Sequence, residues 1–237
     1  MEKLALGAEK LGLQLNPAQL AQFQVYYQEL TDWNRRVNLT TITSYEEVQV
    51  RHFLDSLTVT LAFRPLLTDG NFMDVGAGAG IPGVPLKIAL PEIRLVLVEA
   101  TAKKAVFLRH LKDKLGLDNV EIVVGRAEEI GHLSRYREKF NVVLSRAVAP
   151  LPALAELTLP FCAVGGSVIA QKKGGIVQEL RRADKSIRAL GGNLREVKHI
   201  GLEEFADERC LVIVDKISPT PERYPRRSGI PAKRPLM

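Results

Sequence analysis

One stretch, residues 72–83 (FMDVGAGAGIPG), constrains the fold more than any other part of this sequence. A short apolar run ends in the acid Asp74, and alternating glycines and a proline follow it. Gly76 and Gly78 permit positive φ angles and let a ligand approach the backbone closely, while Pro82 suits the first turn of a helix. The stretch therefore predicts a strand, a tight turn and a helix start. Open α/β sheets bind ligands at such a turn, where the helix offers free backbone N–H groups.

The glycine spacing indicates the kind of ligand. The run Gly78-x-Gly80-x-x-Gly83 satisfies the dinucleotide fingerprint, which by itself is a weak signal. The longer run Asp74-x-Gly76-x-Gly78-x-Gly80 resembles the first motif of class I S-adenosylmethionine (AdoMet) methyltransferases. The alternative is a glycine-rich turn that binds nothing. We therefore interpret Asp74, Gly76, Gly78 and Gly80 as cofactor-binding residues.

Bulk composition bounds the class of protein. The 237 residues suffice for one large domain, or for one domain with a helical extension, without disulfide bonds. The formal charge of +6 permits an anionic partner without requiring one. Cys162 and Cys210 lie in apolar runs, so we interpret both as small buried hydrophobes. No apolar run reaches membrane-spanning length and the N-terminus lacks a secretory pattern, so we expect a cytoplasmic protein.

Residues 1–66 are predicted to form an N-terminal helical extension packed on the core. Asn16 and Pro17 form a helix cap followed by a first-turn proline. A capping-box match at Ser44 predicts a second helix, which we expect to be one regular α-helix. The apolar residues at helical spacing, which we expect on its buried face, are Val50, Phe53 or Leu54, Leu57 and Leu61.

Residues 67–218 alternate between short apolar runs and helical segments. The predicted strands are 72–75, 95–98, 120–124, 142–145, 167–171, 194–202 and 209–218, and the predicted helices are 82–90, 101–115, 127–132, 151–161 and 175–190. Valine-rich runs without clear alternation fit a parallel sheet covered on both faces. The short acidic linker between the last two runs predicts an antiparallel hairpin. The fold class is therefore α/β, a Rossmann-like, seven-stranded, mostly parallel sheet with an antiparallel last strand, which is the architecture of class I AdoMet-dependent methyltransferases.

The tail, residues 219–237, has five prolines, five Lys or Arg residues and one acid. Because prolines at that density break a helix, we expect an extended basic strap rather than a helix. The alternative is a solvated terminus without a binding role.

Four positions at predicted strand ends carry polar side chains suited to a nucleoside ligand. Glu99 closes the second strand, where an acid accepts both ribose hydroxyls; the alternative is a helix cap. Ala127 and Glu128 follow the third strand, where a backbone N–H and a carboxylate could meet the adenine edge, or Glu128 could be a solvated acid. Asp74 could anchor the glycine loop or face an ammonium group. Arg146 ends the fourth strand, between cofactor and substrate, unless it is a surface salt-bridge partner.

Basic residues outside that set suggest a surface that follows nucleic-acid phosphates. The predicted RNA-binding residues are Arg51, His52, Lys103, Lys104, Arg226, Arg227, Lys233 and Arg234. A hydrolase site at His52, Asp55 and Ser56 is rejected, because a nucleophile is normally exposed on a strained turn and not on a regular helix. The histidines and cysteines have no metal-ligand spacing, so no metal is predicted.

The chain resembles the RsmG family, also called GidB, whose members methylate the N7 of a guanine in bacterial 16S ribosomal RNA. The similarity spans nearly the whole chain, and no single motif in it is as specific as the combination. The matching motifs are Trp33-Asn34 with Asn38-Leu39-Thr40, Arg51-His52-x-Leu54-Asp55-Ser56, residues 74–83, Ser145-Arg146-Ala147, and residues 224–226 with 231–236.

The resemblance implies an AdoMet-dependent methyltransferase that acts on guanine 527 of 16S rRNA, alone or in the small ribosomal subunit. The residues implied to contact AdoMet are Gly76, Ile81, Glu99, Ala100, Thr101, Ala127, Glu128 and Arg146. Many members have aspartate and serine where this chain has Glu99 and Ala100; glutamate can still bind a ribose. We expect a monomer that binds neither membrane nor metal.

The absence of a convincing triad or acid–base pair agrees with that chemistry. Guanine N7 carries a lone pair and no proton, so its methylation needs orientation rather than a general base. Three alternatives stay open. One is an NAD-dependent oxidoreductase, although such an enzyme would need a second nucleotide-binding half or a substrate domain. The others are a non-catalytic RNA-binding protein on a methyltransferase fold and a methyltransferase with another substrate.

Overall fold

The computed structural model of the chain describes residues 1–63 and 69–236. Within them one sheet is formed by β1 Asn71–Val75, β2 Arg94–Glu99, β3 Val120–Val124, β4 Phe140–Arg146, β5 Cys162–Lys173, β6 Gly192–Ile200 and β7 Arg209–Lys216. The strand order is β3-β2-β1-β4-β5-β7-β6. Strands β1 to β5 pair in parallel, and β7 runs antiparallel to both β5 and β6. The predicted seven-stranded sheet with a reversed last strand is confirmed.

The helices of the described residues cover both faces of this sheet. They are α1 Glu2–Lys10, α2 Pro17–Asn34, α3 Tyr45–Val48, α4 Asp55–Leu57, α5 Gly83–Ala89, α6 Ala102–Leu115, α7 Ala127–Ile130, α8 Leu151–Thr158, α9 Val177–Ala189 and α10 Ile230–Lys233. Helix α2 begins as predicted: the Asn16 side chain accepts the N–H of Gln19, and the Gln19 side chain accepts the N–H of Asn16, both at 2.9 Å. None of these helices has the length and apolar character needed to cross a membrane.

Alternate strand residues enter two separate cores, because successive side chains point to opposite faces. Phe72 and Leu97 belong to a core shared with the N-terminal helices, α5 and α6. Met73 and Val98 belong to a second core shared with α8 and α9. Burial on both faces explains why the strands are valine-rich and do not alternate with polar residues. Both cysteines are buried and free.

The prediction of one regular helix after Ser44 is wrong. Between α3 and α4 the chain forms a π-helical segment, Gln49–Leu54, and after α4 a 3₁₀ stretch, Thr58–Ala62. The predicted apolar residues Val50, Phe53, Leu54 and Leu57 are buried, with Leu61 partly buried. The polar residues on the other faces are buried too, namely His52, Asp55, Ser56 and Thr58.

Tertiary packing explains this departure from a regular helix. The Phe53 ring lies 5.0 Å from the ring of Phe23 and 4.9 Å from that of Tyr26, both on α2. On another side, the Gln49 side chain accepts a hydrogen bond from the N–H of Leu4 on α1. Most side chains of this segment therefore lie against neighbours, with Arg51 half-exposed, and π-helical turns of this kind are frequent at functional sites.

The tail departs from the expected strap in one respect. Residues Ile230–Lys233 form a short helix, which tolerates Pro231 because the proline lies in its first turn. The predicted boundary between residues 66 and 67 and the last residue, Met237, lie outside the described residues.

Candidate active site

The glycine loop after β1 adopts the predicted conformation. Gly76, Gly78 and Gly80 have φ angles of +76°, +57° and +89°. The N–H groups of Gly76 and Ala77 donate to the carbonyl oxygen of Val98 at 2.9 and 3.0 Å, which joins the loop to the end of β2. A Cβ added at Gly76 would lie 2.6 Å from Cγ2 of Val148. The segment that follows β4 therefore packs directly against the glycine loop.

Asp74 lies beneath this loop and is fully buried. Its Oδ2 accepts the N–H of Gly83, the first residue of α5, at 2.9 Å. Pro82 therefore stands just before the helix rather than in its first turn, and one N–H expected to be free is occupied. Oδ1 is buried and has no hydrogen-bond partner in the described part of the chain. The pKa of this carboxyl is raised to about 7, chiefly by burial and also by the charge of Glu99, against the opposing effects of the Gly83 hydrogen bond and Arg146.

Glu99, the last residue of β2, connects two of the predicted site segments. Its Oε2 accepts the N–H of Gly78 at 2.9 Å, and its Oε1 accepts the N–H of Thr101 at 2.7 Å. The residue is 6% exposed. The carboxylate thus holds the glycine loop and the entry to α6, with Ala100 and Thr101 exposed beside it. A carboxylate has about four lone-pair sites, so roughly two remain for a ligand.

Arg146 is a partner in a buried salt bridge, with 16% of its side chain exposed. Its Nη2 lies 3.2 Å from Oδ2 of Asp55, 2.6 Å from the carbonyl oxygen of Arg51 and 3.4 Å from Nδ1 of His52. Across the described residues, the hydrogen bonds of this guanidinium all use Nη2, and neither Nε nor Nη1 is buried without a partner. Nε and Nη1 therefore have no partner among the described residues and are not completely buried.

His52 was predicted to be an RNA-binding residue, but it lies inside the protein and not on its surface. It is buried, and its Nε2 lies 2.8 Å from Oγ1 of Thr40. Burial, with the positive charge of Arg146, lowers its pKa to about 3. The imidazole is therefore neutral near pH 7 and contributes no charge to a phosphate site.

The tail contacts the first turn of α7, where Ala127 and Glu128 lie. The Glu128 carboxylate accepts the N–H of Gly229 at 2.8 Å, and Glu129 accepts the hydroxyl of Ser228 at 3.1 Å. A cavity of about 790 Å³ between α7 and the tail is lined by residues of both. The tail therefore packs against α7, and one oxygen of Glu128, which was predicted to meet the adenine edge, is occupied by a tail N–H.

The predicted RNA-binding cations divide into two groups. Arg51 pairs with Glu47 at 2.7 Å, and Arg226 pairs with the fully buried Glu156 at 2.7 Å. Among the described residues no acidic partner lies within salt-bridge distance of the others, which are Lys103, Lys104, Arg227, Lys233 and Arg234. Of these five only Lys104 is half-buried; the rest are exposed. These five side chains are free to meet phosphate.

Sequence reasoning missed three residues that shape this site. The Tyr26 hydroxyl donates to the carbonyl oxygen of Ala79 in the glycine loop at 2.6 Å, and Asp55 and Arg209 flank Arg146. The Tyr26 hydroxyl reaches a residue 53 positions away, so no local pattern indicates its partner. Asp55 and Arg209 are 154 residues apart, and no local pattern connects them.

The residues present fit the AdoMet implied by the resemblance. The unpartnered buried oxygen of Asp74 suits a cationic group, and the Glu99 carboxylate has acceptor capacity for ribose hydroxyls. Gly78 adds space, because a Cβ there would meet only the carbonyl oxygen of Gly76 at 3.8 Å. In the same described part of the chain, no three His, Cys, Asp or Glu side chains come together as a metal site requires.

Comparison with known proteins identifies close relatives. The model of the GidB family, described as rRNA small subunit methyltransferase G, matches residues 19–209. The chain is 53% identical over 237 residues, the full length of both chains, to ribosomal RNA small subunit methyltransferase G of Dehalococcoides mccartyi strain CBDB1. It is 46% identical to the protein of that name from Pelotomaculum thermopropionicum, over 99% of this chain and 98% of the other.

Solved structures show the same fold at low sequence identity. The O-methyltransferase from Bacillus cereus, solved in complex with SAH, aligns with a TM-score of 0.58 and 19% identity. The alignment covers 81% of this chain and 91% of that one. A likeness at this identity shows the fold alone.

Proposed function

The chain belongs to the rRNA small subunit methyltransferase G family, and from this membership we propose that it transfers a methyl group from AdoMet to N7 of guanine 527 in 16S rRNA. The observation that carries the proposal is the convergence of Asp74, Glu99 and the glycine loop at the carboxyl edge of the sheet, where Arg146 ends β4 with Nε and Nη1 unpartnered among the described residues. Ligands bind at this edge in open α/β sheets.

The cofactor-binding role falls on residues around the glycine loop. Bound AdoMet supplies an electrophilic methyl group on a sulfonium centre. Glu99 would accept hydrogen bonds from the ribose hydroxyls with its remaining lone pairs, and the unpartnered Oδ1 of Asp74 would accept one from the ammonium group. The residues proposed to complete the cofactor site are Gly76, Gly78, Gly80, Ile81, Ala100, Thr101, Ala127 and Glu128.

The substrate-binding role falls on Arg146. Its Nε and Nη1 donate to the guanine O6 or to a neighbouring phosphate, and so orient N7 for in-line attack. Because N7 carries no proton, the protein supplies no general base. The neutral, buried state of His52 is consistent with this, since no proton needs to be moved there.

The RNA backbone is proposed to follow the cations without acidic partners among the described residues, namely Lys103, Lys104, Arg227, Lys233 and Arg234. In support, the tail that carries the last three contacts α7, where Glu128 accepts the N–H of Gly229. The target guanine leaves its stack to reach that site, as in other base-modifying enzymes. A substrate of this kind places the enzyme in the cytoplasm with the ribosomes.

A methyl-transfer assay tests the proposal. The protein is incubated with labelled AdoMet and with 16S rRNA, 30S particles or intact ribosomes from a strain lacking the modification, and the site is mapped by chemical cleavage at 7-methylguanosine. Label at a single guanine of 16S rRNA is expected from at least one substrate. No transfer to any of the three would leave a non-catalytic RNA-binding protein. Calorimetry with AdoMet, S-adenosylhomocysteine (AdoHcy) and NAD in parallel tests the cofactor, and binding of NAD alone would indicate an oxidoreductase.

A further inference from the structure

A buried ion cluster joins the helical extension to the carboxyl edge of the sheet. Oδ2 of Asp55 lies 3.2 Å from Nη2 of Arg146 and 3.1 Å from Nη1 of Arg209. The side chains of Asp55 and Arg209 are 3% and 7% exposed. Asp55 begins α4, Arg146 ends β4 and Arg209 begins β7, so one carboxylate connects three separate elements.

The two arginines of this cluster differ in how firmly they are held. Arg209 also donates from Nε to Oδ1 of Asp207 at 2.6 Å, so two carboxylates hold it. Arg146 has Asp55 as its one acidic partner in the described residues. Gln171 at the end of β5 donates to the carbonyl oxygen of Asp55 at 2.6 Å, which fixes the backbone from which the carboxylate extends. Arg209 and Gln171 therefore hold Asp55, and Asp55 holds Arg146.

These contacts affect the orientation of Arg146 more than the stability of the protein. Buried ion pairs contribute little net stability, because desolvation offsets the attraction between the charges. What the cluster does determine is orientation: Asp55 engages Nη2, while Nε and Nη1 have no partner among the described residues. Without that anchor Nη2 would keep only its contacts with the Arg51 carbonyl oxygen and the His52 ring, and catalysis by orientation is sensitive to displacements of about 1 Å.

We propose that Asp55, backed by Arg209, is a positioning residue that fixes the Arg146 guanidinium for the guanine substrate. The inference rests on the proposed function, in which Arg146 contacts the substrate. It makes the N-terminal extension part of the active site and not only a cover for the sheet. Loss of Asp55 should therefore slow methyl transfer and leave cofactor affinity nearly unchanged.

A double-mutant cycle separates positioning from general stability. Asp55→Asn, Arg146→Lys and the double variant are assayed for kcat at saturating AdoMet and RNA, for AdoHcy affinity by calorimetry, and for unfolding midpoint. We expect Asp55→Asn to lower kcat at least tenfold in the presence of Arg146 and less than threefold in the Arg146→Lys background. AdoHcy affinity should stay within threefold of wild type.

A matched control exists at the opposite end of β7. Asp215 lies 3.3 Å from Arg195 and accepts the hydroxyl of Ser167 at 2.8 Å, so Asp215→Asn also removes an arginine's carboxylate partner. We expect it to lower the unfolding midpoint without changing kcat. If Asp55→Asn does not fold, Arg209→Lys replaces it in the cycle with Arg146→Lys. Lysine keeps the positive charge at this position but lacks the forked guanidinium that holds two carboxylates.

Equal losses of kcat from Asp55→Asn in both backgrounds would overturn the inference, as would no loss at all. Wild-type kcat in Arg146→Lys would also overturn it. These results are distinct from failure of the proposed function, in which the wild-type protein transfers no label to any RNA substrate.

Discussion

The Glu99 carboxylate accepts a hydrogen bond from the backbone N–H of Gly78 at 2.9 Å. This bond joins the end of β2 to the glycine loop after β1, so the acid that is proposed to bind the ribose also shapes the loop that is proposed to hold the rest of the nucleoside. Its second oxygen holds Thr101 at the entry to α6. A substitution at this one residue therefore acts on three segments of the site.

Glu99→Gln should weaken AdoHcy binding about 10- to 100-fold. The amide replaces one acceptor oxygen by a donor, which is left facing the N–H of Gly78 or of Thr101 and cannot accept from a ribose hydroxyl. Hydrogen bonds to charged groups contribute roughly 1.5–3 kcal/mol each, which corresponds to that range. Calorimetry with AdoHcy provides the measurement. Glu92→Gln, at an exposed position before β2, is the control and should bind as wild type; equal affinities of wild type and Glu99→Gln would contradict the assignment.

Substitutions in the glycine loop should separate backbone strain from steric overlap. Gly78→Ala adds a Cβ with open space around it, so we expect a loss of roughly 1–2 kcal/mol in unfolding free energy from the left-handed conformation alone. Gly76→Ala should cost more, because its Cβ also meets Val148 at 2.6 Å. Val148→Ala should restore part of the loss in Gly76→Ala and none of the loss in Gly78→Ala. Denaturant unfolding measures all five variants, and a Val148→Ala effect of equal size in both backgrounds would refute steric overlap as the cause.

Asp74 should make stability depend on pH. Its pKa of about 7 in the native protein lies above the usual 3.8, so between those values the native state keeps a proton that the unfolded state has lost. This contribution to stability is therefore full at low pH, falls as pH rises toward 7 and is level above it. Asp74→Asn cannot titrate and should lack the decline.

Urea unfolding of wild type and Asp74→Asn at pH 5, 6, 7 and 8 tests this prediction. The stability of wild type relative to the variant should fall by on the order of 2–3 kcal/mol across the series. The two proteins differ at this one carboxyl, so the difference between their profiles isolates its contribution. Parallel pH profiles would show that the carboxyl titrates normally.

Two neighbouring arginines of the tail should behave differently. Arg226 pairs with the fully buried Glu156, so Arg226→Gln should lower stability by roughly 1.5–3 kcal/mol through an unpaired buried carboxylate. Arg227 is exposed and has no acidic partner among the described residues, so Arg227→Gln should leave stability unchanged and weaken RNA binding. RNA affinity measured across salt concentrations should show a slope shallower by about 0.7 for one lost phosphate contact to single-stranded RNA. An Arg227→Gln variant with the wild-type slope would remove this residue from the RNA surface.

The glycine loop and the alternation of strands and helices were predictable because their causes are local. Positive φ at Gly76 and Gly78 follows from the absence of a Cβ, and the cap at Asn16 follows from its reach to the N–H of Gln19. The hairpin of β6 and β7 follows from a linker too short for a crossover helix. Each of these signals lies within a few residues of the structure it produces.

Tertiary structure decided what lies against those local elements. A pattern of apolar spacing favoured a regular helix after Ser44, but contacts with α1 and α2 enclose the segment and accompany its π-helical turn. The tail's composition predicted an extended basic strap, but not that Arg226 within it pairs with the buried carboxylate of Glu156. The pairing of Asp55 with Arg209 spans 154 residues and exists only once the helical extension lies on the sheet. Sequence by itself determined the conformations that depend on adjacent residues, whereas the partners of its buried charges depended on which distant surfaces folding brought together.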